Sequence, residues 1–198
     1  MCGRYQFTAE QCEEIRQIAE AIQRKYGVGA WTPGEIRPSN HAPVLLDGAG
    51  GPVPKLMKWG YLLPGTLVIN ARAETAAEKP LFRDSVRSRR CLIPSTGFYE
   101  WDGQKRKYLF TLPREGALYM AGLYDRRGSE ECYCILTTAP NASMRPIHDR
   151  MPLILTGEQR QRWLADADAA TEILMLRPHR TRGAAHGAKY RVSGIHHP

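Results

Sequence analysis

The second residue of the chain is a cysteine, and Met1-Cys2-Gly3-Arg4 puts it where loss of the initiator methionine would leave an α-amine and a thiol on neighbouring carbons. Such a pair condenses with aldehydes: the amine gives an imine, and the thiolate then closes a five-membered thiazolidine. Ordinary pKa values of about 8 for a terminal amine and about 8.5 for a thiol mean that modest local help supplies both reactive forms near neutrality. A small second residue generally permits methionine removal; while Met1 stays attached the nitrogen is an amide and this route is closed. The same residue also suits a plain role as a small buried side chain near a chain end.

Three further side chains could handle protons or hold such an adduct. His148 sits in the polar island Pro146-Ile147-His148-Asp149-Arg150-Met151-Pro152, before the apolar Leu153-Ile154-Leu155. An imidazole there can shuttle protons near working pH, or it can be a hydrogen-bonded loop residue. Glu100 lies among aromatics in Gly97-Phe98-Tyr99-Glu100-Trp101. Desolvation would make it a usable acid or base, whereas strict alternation would send it to water with Tyr99 and Trp101 packed inward. Asn70, closing Val68-Ile69-Asn70, both donates and accepts, as holding an imine or sugar oxygen requires, and it equally suits a turn.

The elements that must position these groups read as follows. Thr8-Ala9-Glu10-Gln11 has a capping-box pattern, and Ile15, Ile18, Ala19 and Ile22 then share one helical face up to Gly27. Trp31 to Pro54 is rich in Pro and Gly and reads as loop-dominated. Short β-type runs follow at Lys55–Trp59, Thr66–Asn70, Cys91–Ile93, Phe98–Trp101, Tyr108–Leu112, Leu118–Leu123 and Cys132–Thr138. A turn at Asp102-Gly103 would let the basic Gln104 to Lys107 stretch begin a return strand. Thr156-Gly157-Glu158-Gln159 opens a second helix carrying Trp163 and Leu164. The expected fold is α+β: a mainly antiparallel barrel-like or sandwich core with flanking helices, in a single domain spanning residues 1–198.

At 198 residues the chain is long enough for one core without disulfides. Five cysteines without a CxxC pair argue against a zinc ribbon or a disulfide framework, so no metal or cofactor is expected and a reducing cytoplasm fits. No long apolar run suggests a membrane span. The formal net charge of +8 favours an anionic partner. Arg72 to Arg90 holds Lys79, Arg83, Arg87 and Arg89 against Glu74, Glu78 and Asp84, which suits phosphate contact or a mixed-charge helix surface. From about residue 177 to 198 a tail carries Arg177, His179, Arg180, Arg182, His186, Lys189, Arg191, His196 and His197 without an acid, and reads as solvated and loosely ordered or as a DNA-binding arm.

Taken together, Met1-Cys2-Gly3-Arg4-Tyr5, Asn40-His41-Ala42-Pro43, Trp59-Gly60, Ile69-Asn70-Ala71-Arg72-Ala73-Glu74-Thr75, Arg89-Arg90-Cys91-Leu92-Ile93-Pro94, Gly97-Phe98-Tyr99-Glu100-Trp101 and Ile147-His148-Asp149-Arg150-Met151-Pro152 resemble the SOS-response-associated peptidase (SRAP) domain family. The resemblance implies a mainly β fold and shielding of abasic sites in single-stranded DNA through a thiazolidine on the terminal cysteine. By that resemblance Cys2 is the crosslinking residue, Asn70 positions the adduct, and Glu100 and His148 transfer protons. It also implies Arg4, Arg72 and Arg150 as phosphate contacts, Thr137 as a hydroxyl on the DNA backbone, and Asn40 and Pro43 as loop residues beside the lesion. The expected partner is single-stranded DNA with abasic sites, bound by a cytoplasmic, nucleoid-associated monomer. Some relatives carry tryptophans where Pro64-Gly65-Thr66-Leu67 has none. Two other activities fit the residues: an N-terminal-nucleophile peptidase that releases its own Met1, and a non-covalent reader of single-stranded or modified DNA.

Overall fold

The computed structural model describes residues 2–112, 116–176 and 191–195. The chain opens with strand β1 (Arg4–Phe7), after which Thr8 makes no side-chain cap bond, contrary to its capping-box pattern. A 3-10 turn over Ala9–Gln11 intervenes, so α1 (Glu13–Tyr26) begins only after Cys12. Its apolar stripe holds, with Ile15, Ile18 and Ile22 buried, and Gly27 closes it in a positive-φ conformation suited to glycine.

The passage read as loop-dominated instead holds two strands, β2 (Gly34–Ile36) and β3 (His41–Leu46). Proline is tolerated inside β3 because β8 (Arg90–Ser95) pairs with it only at Leu45, which leaves the strand edge open at Pro43. Next come β4 (Val53–Trp59), the hairpin β5 (Tyr61–Leu63) and β6 (Thr66–Val68), and β7 (Asn70–Arg72). Two short helices, α2 (Ala73–Ala76) and α3 (Arg83–Ser88), lead into β8, then β9 (Gly97–Trp101) and β10 (Lys107–Thr111). Asp102 Oδ1 accepts from the main-chain N–H of Gln104 and Arg106, which lengthens the expected tight turn and delays the return strand to Lys107. The rest comprises β11 (Leu118–Arg127), β12 (Glu130–Thr138), β13 (Met151–Pro152), α4 (Gly157–Ala165), α5 (Ala167–Met175) and β14 (Arg191–Ile195).

Strands β11, β8, β3, β4 and β12 form a closed barrel, because β12 pairs with β4 on one side and returns to β11 on the other. Its pairings are antiparallel except β4 with β12, and β7 also joins β12 in parallel. A second, antiparallel sheet runs in the order β14, β10, β9, β1, β2. One nearly continuous stretch, β8 into β9, carries the chain from barrel to sheet at Thr96, whose N–H donates to the Gln6 carbonyl. Gly97 is required at this corner: a Cβ there would lie 2.8 Å from the Phe110 carbonyl oxygen. Between the two layers Tyr5 and Tyr133 share a 2.7 Å hydroxyl contact, and Trp59 packs against both rings. The α+β, mainly antiparallel expectation is met.

The capping box at Thr156 forms, but the helix it opens stops at Asp166, which caps α5 anew through the N–H groups of Asp168 and Ala169. Helices α3 and α4 are tied to the barrel by Arg90, whose buried guanidinium donates to the carbonyls of Val86 and Arg87 in α3 and of Trp163 and Leu164 in α4. Arg90→Ala strips donors from four carbonyl groups, three of these bonds being buried, and chemical denaturation should show a loss of about 3–5 kcal/mol. A change below about 1 kcal/mol would show that these bonds contribute little beyond solvation.

Within the basic C-terminal segment, Arg191–Ile195 adds a strand to the edge of β10, in register from Lys107 with Ile195 to Thr111 with Arg191. The remaining cations named for that segment lie outside the described residues. Among the described residues, no helix is long and apolar enough to cross a membrane.

Candidate functional site

Because β1 pairs antiparallel with β9, Arg4 opposite Tyr99 and Tyr5 opposite Phe98, the chain start emerges alongside Glu100. Cross-strand partners point to the same face, so Phe98 and Glu100 turn inward with Tyr5. Arg4, Tyr99, Trp101 and Lys107 take the outer face, where Lys107 Nζ lies 4.0 Å from the Tyr99 ring centroid and Arg4 sits over Trp101 at 5.2 Å. The question left open by the alternating pattern is thereby answered: Glu100 is buried, only 2% exposed. Desolvation pushes its carboxyl up to about 7, and the charge of Asp149 adds to the rise.

Cys2 is fully buried beside this acid. Burial pushes its thiol well above the ordinary range, and the negative charge of Glu100 raises it further. The surroundings do not supply the local help that a thiolate near neutrality needs, since a low-dielectric site next to a carboxylate disfavours a second anion.

Asn70 begins β7, whose position is fixed by its parallel pairing with Ile135–Thr137 of β12. Its Nδ2 donates to the Cys2 carbonyl at 3.0 Å, while its Oδ1 is buried with no hydrogen-bond partner among the described residues. His148 follows a turn stabilised by Asn141, whose Oδ1 accepts from Ser143 and Met144, and the His148 N–H donates to the Met144 carbonyl. The imidazole Nε2 stands 3.9 Å from Glu100 Oε2, and Nδ1 accepts the Arg150 N–H at 3.0 Å. Asp149 Oδ1 also lies 2.9 Å from Nδ1, on a side chain that is 87% exposed. With Nδ1 accepting from the Arg150 N–H, a neutral ring carries its proton on Nε2, toward Glu100. Burial lowers the His148 pKa, which keeps the ring neutral at pH 7.

Cys2, Asn70, Glu100 and His148 are therefore brought together as a thiol, an amide, an acid poised near neutrality and a neutral imidazole. The set can donate a proton to a departing hydroxyl and take one back from a thiol. Among the described residues no cluster of His, Cys, Asp or Glu has the composition to hold a metal ion.

The residues expected at a nucleic-acid interface fare unevenly. Arg72 is exposed at the end of β7. Arg4 bonds Glu35 at 3.1 Å on the outer face. Asn40 is exposed and its Oδ1 accepts the Arg37 N–H, shaping a turn in which Ser39 has φ 71°. Pro43 is not in a loop: it is buried inside β3, opposite Leu56. Thr137 is buried, with its hydroxyl between the Ala71 carbonyl and Arg150 Nη2. The Arg150 guanidinium is held by both carboxylate oxygens of Glu74 at 2.8 Å.

Sequence reasoning missed Glu35, on which Arg4, Arg37 and Lys107 converge. It sits next to a cleft of about 630 Å³ lined by Arg4, Trp101, Lys105, Arg106, Lys107 and β14 residues. The basic run Gln104 to Lys107 was the visible signal, but only the pairing of β10 with β14 turns it into one wall of a cleft.

The comparisons agree with this architecture. A family profile described as SOS response associated peptidase (SRAP) matches residues 1–193. The chain is 35% identical to the abasic site processing protein YoqW of Bacillus subtilis, covering 90% of this chain and 88% of that one. It is 31% identical to the abasic site processing protein YedK of Escherichia coli, over 83% and 79% of the two chains. A crystal structure of a Bacteroides thetaiotaomicron protein superposes with a TM-score of 0.75 at 23% identity, covering 98% of this chain and 92% of that one. Fold and sequence thus define one class of protein: the chain belongs to the SRAP family.

Proposed function

We propose that this protein processes abasic sites in single-stranded DNA, and that it does so by capturing the ring-opened sugar aldehyde as a thiazolidine on Cys2 after Met1 is removed. The observation that carries this reading is the burial of Cys2 beside an acid with a pKa near 7, with Asn70 already bonded to the Cys2 carbonyl. The names of the similar bacterial proteins supply the substrate class.

The α-amine adds to the aldehyde carbon, and Glu100 in its acid form protonates the resulting hydroxyl, so that water leaves and an iminium forms. The Cys2 sulfur then adds to the same carbon, the C=N electron pair returns to nitrogen, and the thiol proton passes to the Glu100 carboxylate. The net change is one water released per adduct. Because the thiol rests protonated, this last transfer has to accompany ring closure. Asn70 Oδ1, buried and without a partner among the described residues, is satisfied by the N–H of the adduct. His148 Nε2–H supports the Glu100 carboxylate whenever it is charged. Arg4 and Arg72, together with the basic outer cleft, receive the phosphates of the strand, which a cytoplasmic monomer meets on exposed single-stranded DNA.

The test is incubation with single-stranded DNA bearing one abasic site, followed by a denaturing gel. A shifted band is expected, formed more slowly as salt rises yet stable to salt once made. Binding with no band surviving denaturation would reduce the protein to a non-covalent reader.

Removal of Met1 by the chain itself is a second reading, favoured by the family's description as a peptidase and by Glu100 acting on the Cys2 thiol. Intact mass measurement on Glu100→Ala should find Met1 retained, whereas complete removal would assign the cleavage to another enzyme.

A further inference from the structure

The segment that carries Asn70 continues directly into α2, whose first turn holds Glu74. Both carboxylate oxygens of Glu74 grip Arg150, from Nη1 and Nη2 at 2.8 Å each, in the parallel two-bond geometry that best fixes a guanidinium. Arg150 Nη2 also donates to the Thr137 carbonyl at 2.6 Å and approaches the Thr137 hydroxyl at 3.3 Å. The Arg150 side chain is 15% exposed, and Glu74 with the end of β12 covers most of it. Residues 148–150 lie outside any helix or strand, and β13 starts only at Met151. The side-chain bonds to Glu74 and Thr137 therefore add to the pairing of Met151 in fixing where the main chain of Arg150 rests, and its N–H is the donor to His148 Nδ1.

We propose that Glu74 is a positioning residue for proton transfer: by clamping the Arg150 guanidinium it fixes the Arg150 N–H against His148 Nδ1, which holds the Nε2 proton toward Glu100. This rests on the capture reaction proposed above. The two-bond pair with Glu74 makes Arg150 a pin between the β7 segment and the His148 turn. The Arg150 guanidinium in turn keeps Glu74 ionised by lowering its pKa, despite partial burial. Asp149 is the competing acceptor at Nδ1, and Glu100 faces the other ring nitrogen.

The test uses the full chain with Met1 removed, in wild type, Glu74→Gln and Arg150→Lys, with thermal unfolding to confirm that each variant folds. Single-turnover adduct formation is followed across concentrations of abasic single-stranded DNA, and the His148 ring nitrogens are observed by 15N NMR. Both variants should lower the saturating rate constant about tenfold, part of what a positioned acid–base group contributes, with the half-saturating DNA concentration unchanged. Both should also lose the dominance of the Nε2-protonated form. A Glu74→Gln protein with the wild-type rate and ring spectrum overturns the inference and leaves the capture reaction standing. A change confined to the half-saturating concentration also overturns it and makes Arg150 a phosphate contact regulated by Glu74. A wild type that forms no adduct defeats the capture reaction itself.

Discussion

Cys2→Ala is expected to remove the covalent band entirely, with adduct formation down about a thousandfold or more, while binding to an intact strand stays at the wild-type level. The size of the effect follows from ring closure. An imine in water hydrolyses, and what makes the wild-type product durable is a sulfur held on the neighbouring carbon, whose attack has the large effective concentration of an intramolecular reaction. Cys2→Ser separates the two groups: its amine still forms an imine that borohydride can trap, but no adduct survives without reduction. An N-terminal extension on the wild type should behave like Cys2→Ala, because it turns the amine into an amide while leaving the thiol in place. Wild-type levels of adduct from the extended chain, measured on the same gel, would contradict the role given to the amine.

Glu100→Gln should slow adduct formation about a hundredfold and, at the same time, make the folded protein more stable above neutral pH. The rate loss is that of a general acid–base group whose replacement keeps the shape and removes the proton. The stability gain follows from the raised pKa of the carboxyl. From an ordinary value of 4.5 it rises to about 7 in the folded chain, so the folded state holds this proton more tightly than the unfolded state does. The wild type therefore has its full stability from this group below about pH 4.5 and loses it as pH rises through 7, by about 3 kcal/mol in total. Glutamine is neutral throughout and escapes that loss. Urea denaturation of both proteins, each with the same N-terminal extension, should give equal stabilities near pH 4.5 and a widening advantage for Glu100→Gln up to pH 8. A wild type that is as stable as the variant at pH 8 would mean that the buried carboxylate is solvated better than its 2% exposure allows. A catalytic group that strains the fold is the usual exchange of stability for reactivity.

Local patterns foretold the parts of the fold that depend on local physics. The 3.6-residue period of Ile15, Ile18 and Ile22 gave α1, and β-branched and aromatic runs gave most of the barrel strands. What escaped depended on partners far along the chain. His41–Leu46 looked like loop because proline and glycine surround it, yet β4 supplies a neighbour for every residue of the strand. Arg191–Ile195 is hidden among cations and becomes a strand only because β10 offers an edge. At Thr8 the capping pattern lost to β1, which holds the preceding backbone, so the helix begins later.

The same division applies to the site. Cys2, Asn70, Glu100 and His148 each had a chemical reason to matter, but alternation alone left the direction of Glu100 open, and the resemblance rather than residue physics joined the four. The state of the Cys2 thiol was left open by residue type, because the burial that raises its pKa comes from strands distant in sequence. Glu74 appeared only as one acid in a mixed-charge run, and its partner Arg150 lies 76 positions further on.

Thiazolidine capture is tested most directly by peptide mapping of the adduct by mass spectrometry, after treatment with a thiol-alkylating reagent. The expected result is an N-terminal peptide that begins at Cys2, carries the DNA sugar with the loss of one water, and leaves the Cys2 sulfur unalkylated. A linked peptide that still contains Met1, an alkylated Cys2 sulfur in the adduct, or a link at any other residue would contradict it.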